Sequence, residues 1–150
     1  NGAVKQRLSD QATQVWRCTV YNSSKCSNYR LYKSTLSFET YLDTLPRKLS
    51  VLLCKFRCSN IKLPVEAGRY RDIPRYQRTC TKCDYNVVGD EFHFVLECPF
   101  LLSLRNKYLP KELSWRLNII KFENLMSHKQ YQFPLCKFLK EGIQLYIWSN

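Results

Sequence analysis

No stretch of this 150-residue chain approaches the run of about 18 apolar residues that a membrane-crossing helix needs, because VLLC, IPRY and FVLEC are each cut by charge or proline. A helical membrane span is thereby excluded. Glycine is scarce, at 4 residues, and there is neither an internal repeat nor a low-complexity tract. Acidic side chains are the scarce charge, 12 against 24 basic, for a formal net charge of +12. The chain opens Asn1-Gly2-Ala3, without Met and without a basic-then-apolar leader, so it reads as an excised fragment with no signal peptide. What remains is a chain 45% hydrophobic, enough to bury a core, unlike a disordered basic tail.

The excess positive charge sits in the flanks. Residues 1–60 hold 10 basic and 3 acidic side chains, residues 61–98 hold 6 and 6, and residues 99–150 hold 8 and 3. The middle block divides again. Lys62, Arg69, Arg71, Arg75, Arg78 and Lys82 stand with only Glu66 and Asp72, whereas residues 83–98 carry Asp84, Asp90, Glu91 and Glu97. A basic stripe abuts an acidic module. Charge of this sign on a folded domain favours polyanions through counterion release and long-range attraction. The plainer alternative is charge that only keeps the domain soluble.

Eight cysteines, at 18, 26, 54, 58, 80, 83, 98 and 136, stand in a chain with ordinary apolar content. Without a secretory leader they read as reduced thiols of an intracellular protein, nuclear or cytoplasmic, rather than as a disulfide scaffold. Four residues form a ligand array: Cys80-Thr81-Lys82-Cys83, nine residues, His93, four residues, Cys98. Two cysteines three positions apart close a turn that aims both sulfurs at one metal, and three thiolates with an imidazole complete a tetrahedral shell. No ligand position is left open for water, so the expectation is one structural zinc and no catalytic metal. The alternative is that Cys80 and Cys83 are loop thiols and His93 a capped helix residue. Cys54, Cys58, Cys18, Cys26 and Cys136 read as small core residues, and His128 as a solvated loop side chain.

Apolar periodicity predicts a mostly α-helical domain with an irregular Cys-Cys-His-Cys knuckle loop between helices. Val4, Leu8, Ala12, Val15 and Thr19 mark a first amphipathic helix with Trp16 beside its buried face. Residues 36–42 are ambiguous between strand and helical turn. Pro46 opens a helix with Leu49, Leu52, Leu53 and Phe56 inward, Lys48 and Lys55 outward, ended by Ser59-Asn60. Residues 61–79, with two prolines and a glycine and no helical period, read as an extended loop or short irregular strands. Asp90 suits an N-cap for a short helix to Glu97, Gly89 supplies the bend, and Pro99 opens a helix that Pro110 stops. Leu113, Leu117 and Ile120 mark another helix, and Pro134 starts the last, with Leu135, Phe138, Leu139 and Tyr146 inward. The segments are 1–60, helical; 61–110, basic loop, knuckle and following helix; and 111–150, terminal helices, together one compact unit.

For a polyanion the candidate contacts are Arg69, Tyr70, Arg71, Arg75, Tyr76 and Arg78, with Lys62, Lys82, Lys48 and Lys55. Arginine forks pair with phosphates and tyrosine faces stack on unpaired bases, which suits single-stranded or structured RNA better than base readout in a DNA groove. The alternative is that Tyr70, Ile73 and Tyr76 pack the loop on the core while the arginines are solvated or paired with Glu66 and Asp72.

Residues 53–83, LCKFRCSNIKLPVEAGRYRDIPRYQRTCTKC, followed by VGDEFHFVLECPF at 88–100 and LRNKYLP at 104–110, resemble the carboxy-terminal, zinc-binding region of non-LTR (LINE-class) retrotransposon polyproteins. The resemblance is dense from Leu53 to Pro110, and 24–46 shares its flavour. It implies that Cys80, Cys83, His93 and Cys98 bind zinc and that the region helps grip template RNA or target DNA during target-primed reverse transcription. It also implies an upstream reverse transcriptase in the same polyprotein, as a partner. It does not import catalysis. No Asp-Asp pair for polymerase metals occurs, and no Pro-Asp…Asp/Glu-x-Lys nuclease arrangement follows the knuckle. The expectation is thus a non-enzymatic nucleic-acid-binding domain without a membrane or small-molecule partner. The alternative is a zinc-stapled scaffolding module that docks on the upstream polymerase through Leu135, Phe138 or Tyr146.

Overall fold

A computed structural model describes residues 2–149. Its helices are α1 (Gly2–Asn22), α2 (Tyr29–Tyr32), α3 (Tyr41–Thr44), α4 (Arg47–Arg57), α5 (Pro64–Arg69), α6 (Leu102–Tyr108), α7 (Ile119–Ser127) and α8 (Lys129–Trp148). Tight 3-10 turns lie at Arg75–Gln77, Pro99–Leu101 and Lys111–Leu113, and a wider π turn spans His93–Glu97. Among the described residues no β-strand forms; the only pairing of that kind is an antiparallel bridge between Thr79 and Val88. The protein is mostly helical, with the Cys-Cys-His-Cys cluster between helices.

Helix α8 is the central element and packs on α4, α6 and α7. Leu135, Phe138, Leu139, Gly142 and Tyr146 recur every three or four residues along it and are all buried. Phe94, from the π turn, meets Phe138 and Tyr146 edge-on and tilts against Phe56 of α4. Phe56, Phe94, Phe122 and Phe138 are among the fully buried side chains, each contributing about 1.5–3 kcal/mol by leaving water. One buried cluster runs from Tyr32 to Tyr146, so all three stretches of the chain feed the same core.

Several local expectations are corrected. The first helix forms, but its apolar stripe is not covered: Val4, Leu8 and Val15 are about 60% exposed, and Val20 is its one buried residue. Cys18, expected in the core, is exposed, and Cys26, Cys54 and Cys58 are half-buried, while Cys136 is fully buried. The 61–79 segment is not simply extended. Pro64, whose ring presets φ and whose missing N–H is harmless in a first turn, opens α5. The helix expected around Leu113–Ile120 begins only at Ile119, capped by the Asn118 side chain accepting from the Lys121 N–H at 2.9 Å. Ile120 faces out, and Phe122, Leu125 and Met126 face in. Pro134 lies inside α8 instead of starting it. An interior proline costs about 3 kcal/mol, and burial of Leu135, Phe138 and Leu139 outweighs that.

Candidate metal centre and basic cleft

The ligand array assembles. One donor atom from each of Cys80, Cys83, His93 and Cys98 lies within 4.8 Å of every other, a spread that fits one metal ion. Cys80 and Cys98 sulfurs are 3.9 Å apart, and Cys83 Sγ is 3.4 Å from His93 Nε2.

Local structure explains the convergence. Residues 78–80 and 87–89 run antiparallel: the Cys80 N–H donates to the Val87 oxygen at 2.9 Å and the Gly89 N–H to the Arg78 oxygen at 2.9 Å. Asn86, at φ 51°, takes the left-handed conformation in the intervening turn, which asparagine tolerates. The Lys82 N–H points at Cys80 Sγ at 3.4 Å. Gly89 is needed less for a bend than for space, since a Cβ there would stand 2.7 Å from Pro64 Cγ.

On the other side, Asp90 caps the turn by accepting from the His93 N–H at 3.1 Å, as the sequence suggested. In an α-helix, positions five apart lie about 140° apart around the axis, so His93 and Cys98 would diverge. The π turn, closed by Cys98 N–H to His93 oxygen at 2.8 Å, returns them to one side.

Three supporting residues escaped the sequence reading. Glu97 Oε2 is 3.2 Å from His93 Nδ1, and a carboxylate acceptor there places the ring proton on Nδ1 and leaves Nε2 free as a ligand. Its signal was the i, i+4 spacing. The Tyr146 hydroxyl reaches Cys80 Sγ at 3.2 Å, and nothing in sequence linked positions 66 apart. Arg105, 4% exposed and without an ion pair among the described residues, donates to the carbonyls of Val95 and Cys98.

The thiols differ. Burial opposes ionisation of Cys80, but hydrogen bonds from Tyr146 and the Lys82 N–H outweigh it and hold the thiol below its ordinary value. Burial pushes Cys98 up to about 12 and also raises Cys83. Three thiolates about a divalent ion sum to one negative charge, and the buried Arg105 guanidinium lies where that charge would be countered.

The structure divides the basic stripe. Arg69 forks onto Glu66 at 2.8 and 3.0 Å, and Arg75 pairs with Asp90 at 2.8 Å. Glu66 is held below the carboxylate range chiefly by the hydrogen bond from Arg69. Arg78 donates to the oxygens of Ile73 and Val65. Lys62, Arg71, Lys48 and Lys55 are exposed and unpaired with any carboxylate among the described residues. Tyr70 and Tyr76 are 71% and 73% exposed, so neither packs the segment on the core. Lys82 reaches the Ser149 carbonyl and lies over the Phe100 ring. His128 is exposed, stacked on Tyr131.

All eight cysteines are free thiols. No helix among the described residues is long and apolar enough to cross a membrane. Compared with known proteins, the chain matches no family model, no curated protein and no solved structure.

Proposed function

We propose that this chain is a non-catalytic, zinc-stapled nucleic-acid-binding domain, acting beside the reverse transcriptase of a LINE-class polyprotein on template RNA or target DNA. The observation that carries the reading is the junction of two features: four buried or half-buried ligand atoms within 4.8 Å, and, in the adjoining segment, unpaired Lys62 and Arg71 beside exposed Tyr70 and Tyr76. The donor set of three sulfurs and one imidazole favours zinc, which is bound tetrahedrally by these groups and supplies folding energy. Free cations beside exposed aromatic rings suit single strands, and of the Tyr70 ring one face carries the Arg69 guanidinium, 4.5 Å from its centroid.

The test is anisotropy of labelled single-stranded RNA, single-stranded DNA and duplex DNA over a range of salt. The reading expects tighter binding of single strands and a linear fall of log K with log salt. Binding absent at low salt contradicts it.

A scaffolding role is favoured by one observation, the uncovered stripe of Val4, Leu8 and Val15 on α1. Leu135, Phe138 and Tyr146, expected as docking residues, are buried in the chain's own core. Capture of the upstream polymerase that is lost in Leu8→Asp, with nucleic-acid affinity unchanged, supports this second role.

A further inference from the structure

Between α5, the knuckle hairpin and the last turns of α8 lies a cleft of about 460 Å³ that the metal ligands do not line. Four cations line it, Lys62, Arg71, Arg78 and Lys82, and no carboxylate does. This sorts the basic stripe into two sets. Arg69 and Arg75, outside the cleft, are neutralised by Glu66 and Asp90, whereas none of the four cations inside it forms an ion pair among the described residues. Like charges gathered without counter-charges raise the local potential and draw an anion.

The cleft is also built. Arg78 lies across Gly68, where a Cβ would stand 2.5 Å from Arg78 Cγ. Its Nε donates to the Ile73 oxygen at 2.7 Å and its Nη1 to the Val65 oxygen at 2.9 Å, leaving Nη2 without an acceptor among the described residues. A guanidinium held this way loses little freedom when it meets an oxyanion. Thr81 and Lys82, between two metal ligands, form one wall, and Tyr146 lines the cleft while touching Cys80. The metal site and the cleft therefore share a wall.

We propose that this cleft binds phosphate groups, namely two successive phosphodiesters of a single strand whose bases reach Tyr70 and Tyr76. This deepens the nucleic-acid reading and rests on it for the identity of the phosphate's source. Arg71 and Lys62 supply exposed charge, and Arg78 supplies a fixed fork.

The test uses the whole chain and two double variants of equal charge change, Lys62→Gln with Arg71→Gln in the cleft, and Arg7→Gln with Arg17→Gln on α1. Melting curves establish that both fold. The cleft variant is expected to lose about 30-fold or more in single-stranded RNA affinity and about two units of salt slope, the α1 variant less than about threefold. Equal losses in both variants overturn the cleft while leaving nucleic-acid binding intact. If the unaltered chain binds no oligonucleotide, the nucleic-acid reading falls and inorganic pyrophosphate decides the cleft. Amide shifts at Gly68, Ile73 and Thr81 that vanish in the cleft variant sustain a phosphate site for a free phosphate compound; no shifts overturn it.

Discussion

The Arg105 guanidinium holds the carbonyl oxygen of Cys98, Nη2 to oxygen at 2.9 Å, while its Nε holds that of Val95 at 2.7 Å. One buried side chain thus closes the far end of the π turn that returns His93 and Cys98 to the same side. Arg105→Met keeps much of the apolar stem but leaves the Val95 carbonyl without its donor, at about 1–3 kcal/mol, while the Cys98 carbonyl keeps the Leu101 N–H at 3.1 Å. Urea unfolding should show a loss of about 2 kcal/mol; an unchanged midpoint contradicts the role.

Glu97 acts on the ligand set at one remove. With Glu97→Gln the fold should persist, because Glu97 is only half-buried, but the His93 ring loses the carboxylate that orients it. Metal affinity, measured by competition with a chromophoric chelator, should fall about 10- to 100-fold. An equal affinity for both proteins would show that His93 needs no such partner.

Two glycines separate space from conformation. Gly89→Ala places a methyl against the rigid Pro64 ring, with Cγ at 2.7 Å and Cβ and Cδ at 3.0 Å, whereas Gly2→Ala meets nothing within 4 Å. The first should cost about 2 kcal/mol by overpacking and the second nothing or a slight gain. Thermal melts of the two variants compare them directly.

The ligand array was legible because metal chemistry fixes both residue type and spacing, so Cys80, Cys83, His93 and Cys98 declare themselves without knowledge of the fold. Helix positions were legible where apolar residues recur, as in α4 and α8. Burial was less so. Periodicity tells which face of α1 is apolar, not whether anything covers it, and Val4, Leu8 and Val15 stand exposed. Pro134 misled because a proline also survives inside a helix whose neighbours are fully packed. Composition could count the arginines near the knuckle but not sort them, since pairing of Arg75 with Asp90 and of Arg78 with Val65 is made by the tertiary fold. The π turn leaves no mark in the sequence, although it aligns two of the four ligands.

Alkaline pH should expose the buried thiol of Cys136, which burial alone pushes up to about 12. The folded state favours the protonated thiol more than the unfolded chain does. Its contribution is therefore complete below the ordinary thiol value and is lost as pH rises through about 12. Urea midpoints taken across that alkaline window should fall more steeply for the unaltered chain than for Cys136→Ala. Parallel profiles would contradict the assignment.

The central claim is that one metal ion staples the knuckle to the helical core. Metal content by mass spectrometry on reduced protein, paired with a thermal melt before and after chelation, tests it most directly. The account predicts one zinc per chain, lost in Cys83→Ser, and a large fall in melting temperature on its removal. Protein without metal whose melting temperature ignores the chelator would contradict it.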